Sequence, residues 1–108
     1  MRSKVESYLG FAARARSLST GYNTCIFMME KRKLKLLILT EDLSENSKEK
    51  MLRAAKQYEV PCRTYGKMDD LSHITGTEGK GIFGLADKNL ADAIVSEIAR
   101  QSLEEEVF

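Results

Sequence analysis

His73 is the only histidine in the 108 residues, and no nucleophile or paired carboxylate stands at a spacing that would enlist it as a general base. It reads as a surface or locally hydrogen-bonded side chain. Glu41 and Asp42 follow an apolar run, a place where many α/β enzymes keep carboxylates, but no second acidic cluster or metal-type histidine spacing accompanies them. With Ser44 just beyond, a turn-and-cap role is the plainer reading. GTEGKG, residues 76–81, resembles a phosphate loop in composition only. It lacks Walker spacing and a lysine–hydroxyl pair, and a strand rather than a helix should follow it. Cys25 and Cys62 lie in apolar-patterned segments without CxxC spacing, so both are expected as reduced, buried thiols. These residues predict no catalytic group, no metal site and no cofactor.

STGYNT, residues 19–24, offers a different chemistry. It stands at the entrance of a helix, where backbone N–H groups lack intrahelical partners and the helix dipole leaves partial positive charge. Gly21 would let a ligand approach the backbone, and Asn23 can both donate and accept hydrogen bonds. Such a terminus suits phosphates and base edges together. The plainer alternative is that Gly21 only makes the turn and Asn23 only serves the cap. A second candidate is the basic run KRKLK, residues 31–35, readable either as a solvated helix end or as an auxiliary phosphate contact. Tyr22 is either a stacking platform or a residue of the core rim.

The elements that position these residues follow from periodicity. Val5, Tyr8, Ala12 and Ala15, broadened by Leu9 and Phe11, predict a helix over residues 3–16. A very short strand follows at Leu18. Tyr22, Cys25, Ile26 and Met29 predict a second helix over 23–32, with Ser19 and Thr20 available as caps. LKLLILT, residues 34–40, reads as a central strand covered on both faces. Ser44 should cap a third helix carrying Met51, Leu52, Ala55 and Tyr58 on one face, and Pro61 should open an edge strand running to Tyr65. A short helix over 69–75 ending at Gly76, a strand over 82–86 and a last helix capped by Asn89 complete a helix–sheet–helix sandwich. In this arrangement Gly21, Tyr22, Asn23, residues 40–42 and Ser44 share one sheet edge.

Composition limits the function classes. Hydrophobic residues make up 43% and charged residues 31%, the balance of an ordinary globular chain, and 108 residues suffice for one domain. No boundary, repeat or low-complexity tract divides the chain. The first 18 residues carry Arg2, Lys4, Glu6, Arg14 and Arg16, so no signal-type apolar segment or membrane span is expected and a cytoplasmic location is. Net charge is +1, so any attraction to nucleic acid must come from a local patch. The acidic ending EEEVF reads as a fraying helix end.

Taken in order, STGYNT, the strand LKLLILTED with its following Ser44, VPC at the next strand and LSHITG before the glycine-containing loop resemble a known group. It is the kink-turn-binding ribosomal-protein superfamily of the archaeal L-seven-Ae and eukaryotic L-thirty-e type, and within it the short bacterial YlxQ-type proteins. The likeness spans residues 8–98, and the spacing from Gly21 through Asn23 to Asp42 matches without a gap. It implies a three-layer α/β/α sandwich with a mixed four-stranded sheet and no enzymatic activity. It also implies binding of structured RNA, ribosomal or otherwise kinked. The implied contacts are Gly21, Tyr22, Asn23 and Thr24 at the second helix, Ser44 at the same edge, and Gly79, Lys80, Gly81 and Ile82 in and after the loop. Some positions depart from the pattern: Thr24 and Phe27 stand where strong binders carry Glu and Lys, Ser72 replaces the first glycine of the family's Leu-Gly-x-x-x-Gly, and Glu78 would oppose phosphate. The alternative expectation is a protein-interaction module of the same fold, docking a partner at the helix-two edge through Phe27.

Overall fold

The computed structural model describes residues 3–107, with side chains through residue 103. The chain runs α1 (Lys4–Arg14), β1 (Leu18–Thr20), α2 (Tyr22–Glu30), β2 (Leu36–Leu39), α3 (Glu45–Gln57), β3 (Cys62–Thr64), α4 (Met68–Thr75), β4 (Ile82–Leu85) and α5 (Lys88–Val107). Of the ending read as frayed, residues 104–107 continue α5, their side chains and Phe108 lying outside the described residues.

The four strands form one mixed sheet in the order β1-β4-β2-β3. β4 pairs antiparallel with both β1 and β2, and β2 pairs parallel with β3. The apolar run is therefore internal, as its composition predicts, and the Pro61 strand lies at an edge. Period-two alternation divides that run between two cores. Leu36 and Ile38 join Val5, Leu9, Phe83, Leu85 and Ile94 beneath α1 and α5, with Leu71 of α4 beside them. Leu37 and Leu39 join Cys25, Met29, Met51, Ala55 and Ile82 beneath α2 and α3. The result is the expected helix–sheet–helix layering, and each core stripe is narrower than its sequence pattern. Phe11 and Leu52, assigned to buried faces by periodicity, are exposed, as is Ala15.

The helix starts hold the main local differences. α1 has a capping box in which Ser3 and Glu6 exchange bonds. Ser44 accepts from the Ser47 N–H and caps α3 as expected. Ser19 and Thr20 do not cap α2, because both are consumed in β1, paired with Gly84 and Phe83. Nor does Asn89 cap α5; the Asp87 carboxylate accepts from the Leu90 N–H at 3.0 Å. α4 ends as expected at Gly76 in the left-handed conformation.

Both cysteines are free thiols; Cys25 is buried as expected, whereas Cys62, on the edge strand β3, is only half-buried. Burial pushes the Cys25 thiol up to about 12 and the Cys62 thiol up to about 11, which favours the protonated form of both at neutral pH.

Candidate nucleic-acid interface

Gly21 is the hinge between β1 and α2. Its φ of 88° and ψ of 165° are conformations that only glycine adopts without strain, and its N–H donates to the Ile82 carbonyl at 2.9 Å. That bond ties the start of α2 to the start of β4. The Ile82 side chain itself is 5% exposed and packs beneath α2 and α3. β-strand alternation turns the side chain inward, and Ile82 meets this edge through its backbone.

The N-terminus of α2 is open. No side chain caps it, and no acidic residue stands in its first turn. Tyr22, Asn23 and Thr24 are all exposed there, so Tyr22 belongs to the surface rather than to the core rim. Asn23 lies inside the helix, past the cap position, and the cap-only reading of this residue does not hold.

Lys80 completes the edge. A Cβ built on Gly21 would lie 3.5 Å from the Lys80 Nζ, which places an ammonium group over the open helix start. Two positive features are thereby brought together, although cations are disfavoured at a helix N-terminus. The Lys80 backbone is held by Ser72. The Ser72 hydroxyl donates to the Lys80 carbonyl and accepts from the Lys80 N–H, both at 2.9 Å, and Ser72 is buried. Sequence reasoning treats Ser72 only as a lost glycine; in the structure its hydroxyl is the clasp of the loop. A serine eight residues before its partner has no local signature that would have revealed this.

The remaining loop residues divide by exposure. Gly79, with φ 61°, is exposed and faces open space, and Glu78 is exposed beside it. Gly81 is buried, and a Cβ there would approach the Thr40 Oγ1 to 2.8 Å and the Met68 side chain to 2.9 Å. Its absent side chain lets the loop close onto the end of β2, where the Thr40 N–H donates to the Gly81 carbonyl. Ser44 commits its hydroxyl to the α3 cap.

The carboxylates of this edge are structural. Asp42 accepts from the Met68 N–H at 3.0 Å, which caps α4 across the fold and holds the carboxyl below its ordinary range. Glu41 pairs with Lys67 at 3.2 Å. A carboxylate stabilised in its ionised form is the reverse of a general acid poised near neutrality. His73 is exposed in the last turn of α4, and among the described residues no cluster of His, Cys, Asp and Glu could hold a metal ion. No helix among them is long and apolar enough to cross a membrane.

Phe27 is 55% exposed, with the Lys31 ammonium 5.5 Å from its ring centroid. Its neighbours one turn away are Asn23, Thr24, Glu30 and Lys31, so it stands among polar groups rather than in an apolar patch.

Comparison with known proteins identifies the family. The Ribosomal protein L7Ae/L30e/S12e/Gadd45 family matches residues 3–94. The chain belongs to this family. It is similar to a protein of Enterococcus faecium named RNA-binding protein YlxQ, with 32% identity over 90 residues covering 83% of this chain and 86% of the relative. A Bacillus subtilis (strain 168) protein of the same name is 30% identical over 88 residues, covering 82% of this chain and 88% of the relative. Among solved structures, a protein of unknown function from Bacillus halodurans C superposes with a TM-score of 0.87 at 28% identity, covering 91% of this chain and 99% of that one. A 15.5kD RNA binding protein of Giardia lamblia gives a TM-score of 0.72 at 14% identity, covering 94% and 89%, a likeness of fold alone.

Proposed function

We propose that this protein is a cytoplasmic, non-enzymatic, single-domain RNA-binding protein of the ribosome or another structured RNA, and that it recognises a kinked duplex. The observation that carries the reading is the open N-terminus of α2 with the Lys80 ammonium over Gly21. Unpaired N–H donors, a helix dipole and an exposed ammonium converge on one spot, and an RNA phosphate is the anion that would satisfy them. Asn23 stands beside that spot, exposed and free to read a base edge, while Gly79 keeps the facing loop free of side-chain bulk. The relatives named RNA-binding proteins support the same class of ligand.

Protein docking through Phe27 is less well served, because the surroundings of that ring are polar and a lysine lies against it. A gel-shift comparison of a kink-turn RNA with the same RNA lacking its tandem G·A pairs tests the proposal. A shift of the first at concentrations that leave the second unbound is the expected result. Equal binding of both, or binding of neither, would overturn it.

A further inference from the structure

Beyond the α2 N-terminus, the seam between α2 and α3 has a composition that the kink-binding reading does not use. A depression of about 230 Å³ lies between the two helices, with Tyr22 and Ile26 on one side and Lys50, Arg53 and Tyr58 on the other. It contains two cations and two tyrosines and no acidic residue. Lys50 and Arg53 form no ion pair among the described residues.

Tyr58 also lines a second depression of about 390 Å³, which continues past Arg32 to Lys35. Between the two, the Arg32 guanidinium lies 5.6 Å from the Tyr58 ring centroid, and its Nη1 donates to the Tyr58 carbonyl at 3.2 Å. That pair sets a hydrogen-bonded cation against an aromatic ring. The second depression also holds Glu59 and Asp92, the latter paired with Lys88 at 3.1 Å, so the unopposed positive charge is concentrated in the first depression.

We infer that this seam is a track for single-stranded RNA leaving the kinked element. Its entrance is Tyr22, the first residue of α2 and the one that borders both surfaces. The nine residues of α2 then carry the track about 13 Å, to the basic run at its far end. Aromatic faces alternating with cations, along a groove that tracks a backbone, are the chemistry by which proteins bind unpaired strands with little sequence preference. Lys50 and Arg53 would neutralise phosphates, and the Arg32–Tyr58 platform would take a base. The inference rests on the RNA reading above and extends it from a kinked duplex to its flanking strand.

The test is an anisotropy titration of three probes: a blunt kink-turn RNA, the same RNA with a single-stranded extension of roughly ten nucleotides, and that strand alone. The extension is expected to strengthen binding roughly tenfold. In K50Q/R53Q the gain should vanish and the salt slope for the extended RNA should fall by about 1.4, at ~0.7 per lost single-strand phosphate contact, with the blunt RNA bound as before. The charge-preserving K50R/R53K should retain most of the gain, and far-ultraviolet circular dichroism confirms that both variants fold. No gain from the extension overturns the track and leaves kink recognition standing. If no kinked RNA is bound at all, the strand alone decides: binding lost in K50Q/R53Q supports the track, and no binding overturns it. Displacement of the bound strand by an oligoglutamate peptide, with preference for the peptide, would also overturn it in favour of a protein partner.

Discussion

The starts of α2 and α3 were built to opposite rules. At α3, Ser44 satisfies the Ser47 N–H, Glu45 complements the dipole, and the nearby Lys48 ammonium is already engaged, donating to the Glu41 carbonyl at 2.8 Å and pairing with Glu45 at 3.6 Å. At α2, the cap position is a glycine, the first turn has no acid, and the exposed Lys80 ammonium lies over the opening. α1, α4 and α5 resemble α3 in having side-chain acceptors, from Ser3, Asp42 and Asp87. A helix end completed from within contributes stability and offers a ligand little; one left open with a cation beside it gives up stability and gains an anion site. The contrast therefore separates residues that hold the fold from residues available for binding.

Replacing Gly21 by Ala should affect both properties and have the largest effect. Its φ of 88° would strain any side chain, at a cost of order 1–3 kcal/mol, and relief of that strain would shift the α2 start away from Ile82. Urea unfolding should show the loss, together with impaired binding of kinked RNA. An unchanged unfolding midpoint would remove Gly21 from the account of this edge.

The sharpest test of the contrast is a pair of single substitutions. Asn23→Ala should leave stability unchanged or raise it by a few tenths of a kcal/mol, since alanine is the better helix former, while costing about 1–3 kcal/mol for kinked RNA and little for a plain duplex. Ser44→Ala should do the reverse, lowering stability by about 1 kcal/mol without altering discrimination between the two RNAs. If Asn23→Ala destabilised the protein and weakened both RNAs equally, the two helix starts would not differ in kind.

Lys80→Ala should weaken kinked and plain RNA alike and reduce the salt slope by about one unit or less, because an ammonium on a phosphate carries no sequence information. Titrations at two salt concentrations measure this. A loss confined to the kinked RNA would assign Lys80 to base reading instead.

The smallest effect concerns pH. The Met68 N–H holds the Asp42 carboxyl below its ordinary value, so Asp42 binds its proton more readily in the unfolded chain than in the folded one. Its contribution is complete above the unfolded value of about 3.9 and is lost as pH falls through the folded value. Urea midpoints between roughly pH 3 and 6 should decline slightly less in Asp42→Asn than in the unsubstituted protein. Identical acid limbs would show that the α4 cap does not depend on charge.

Much of this arrangement was legible in the sequence because strong periodicity is a local property. The internal position of residues 36–39, the Pro61 edge strand and the Ser44 cap follow from patterns that each segment carries itself. What was not legible depends on distant partners. Asp42 caps a helix that begins 26 residues later, and Ser72 clasps Lys80 through a loop whose closure the sequence does not announce. Ser19 and Thr20 have the chemistry of caps, but pairing with β4 consumes them first. Phe11 and Leu52 fit a helical stripe that is wider than the surface each helix covers. Asn23 was the open question, and its answer turned on two residues of offset, since the cap position fell on Gly21.

The sheet order gives this edge an order of assembly. β4, the last strand to be synthesised, lies between β1 and β2, which do not pair with each other. On a chain growing from its N-terminus, α2 has β2 and α3 to pack against, but its start is tied to the sheet only when residues 82–85 arrive and the Ile82 carbonyl receives the Gly21 N–H. Lys80 reaches the helix start in the same event, because it precedes that strand by two residues. A nascent chain stopped before β4 thus lacks the bond that ties the α2 start to the sheet, and the arrival of β4 is the step that completes this edge.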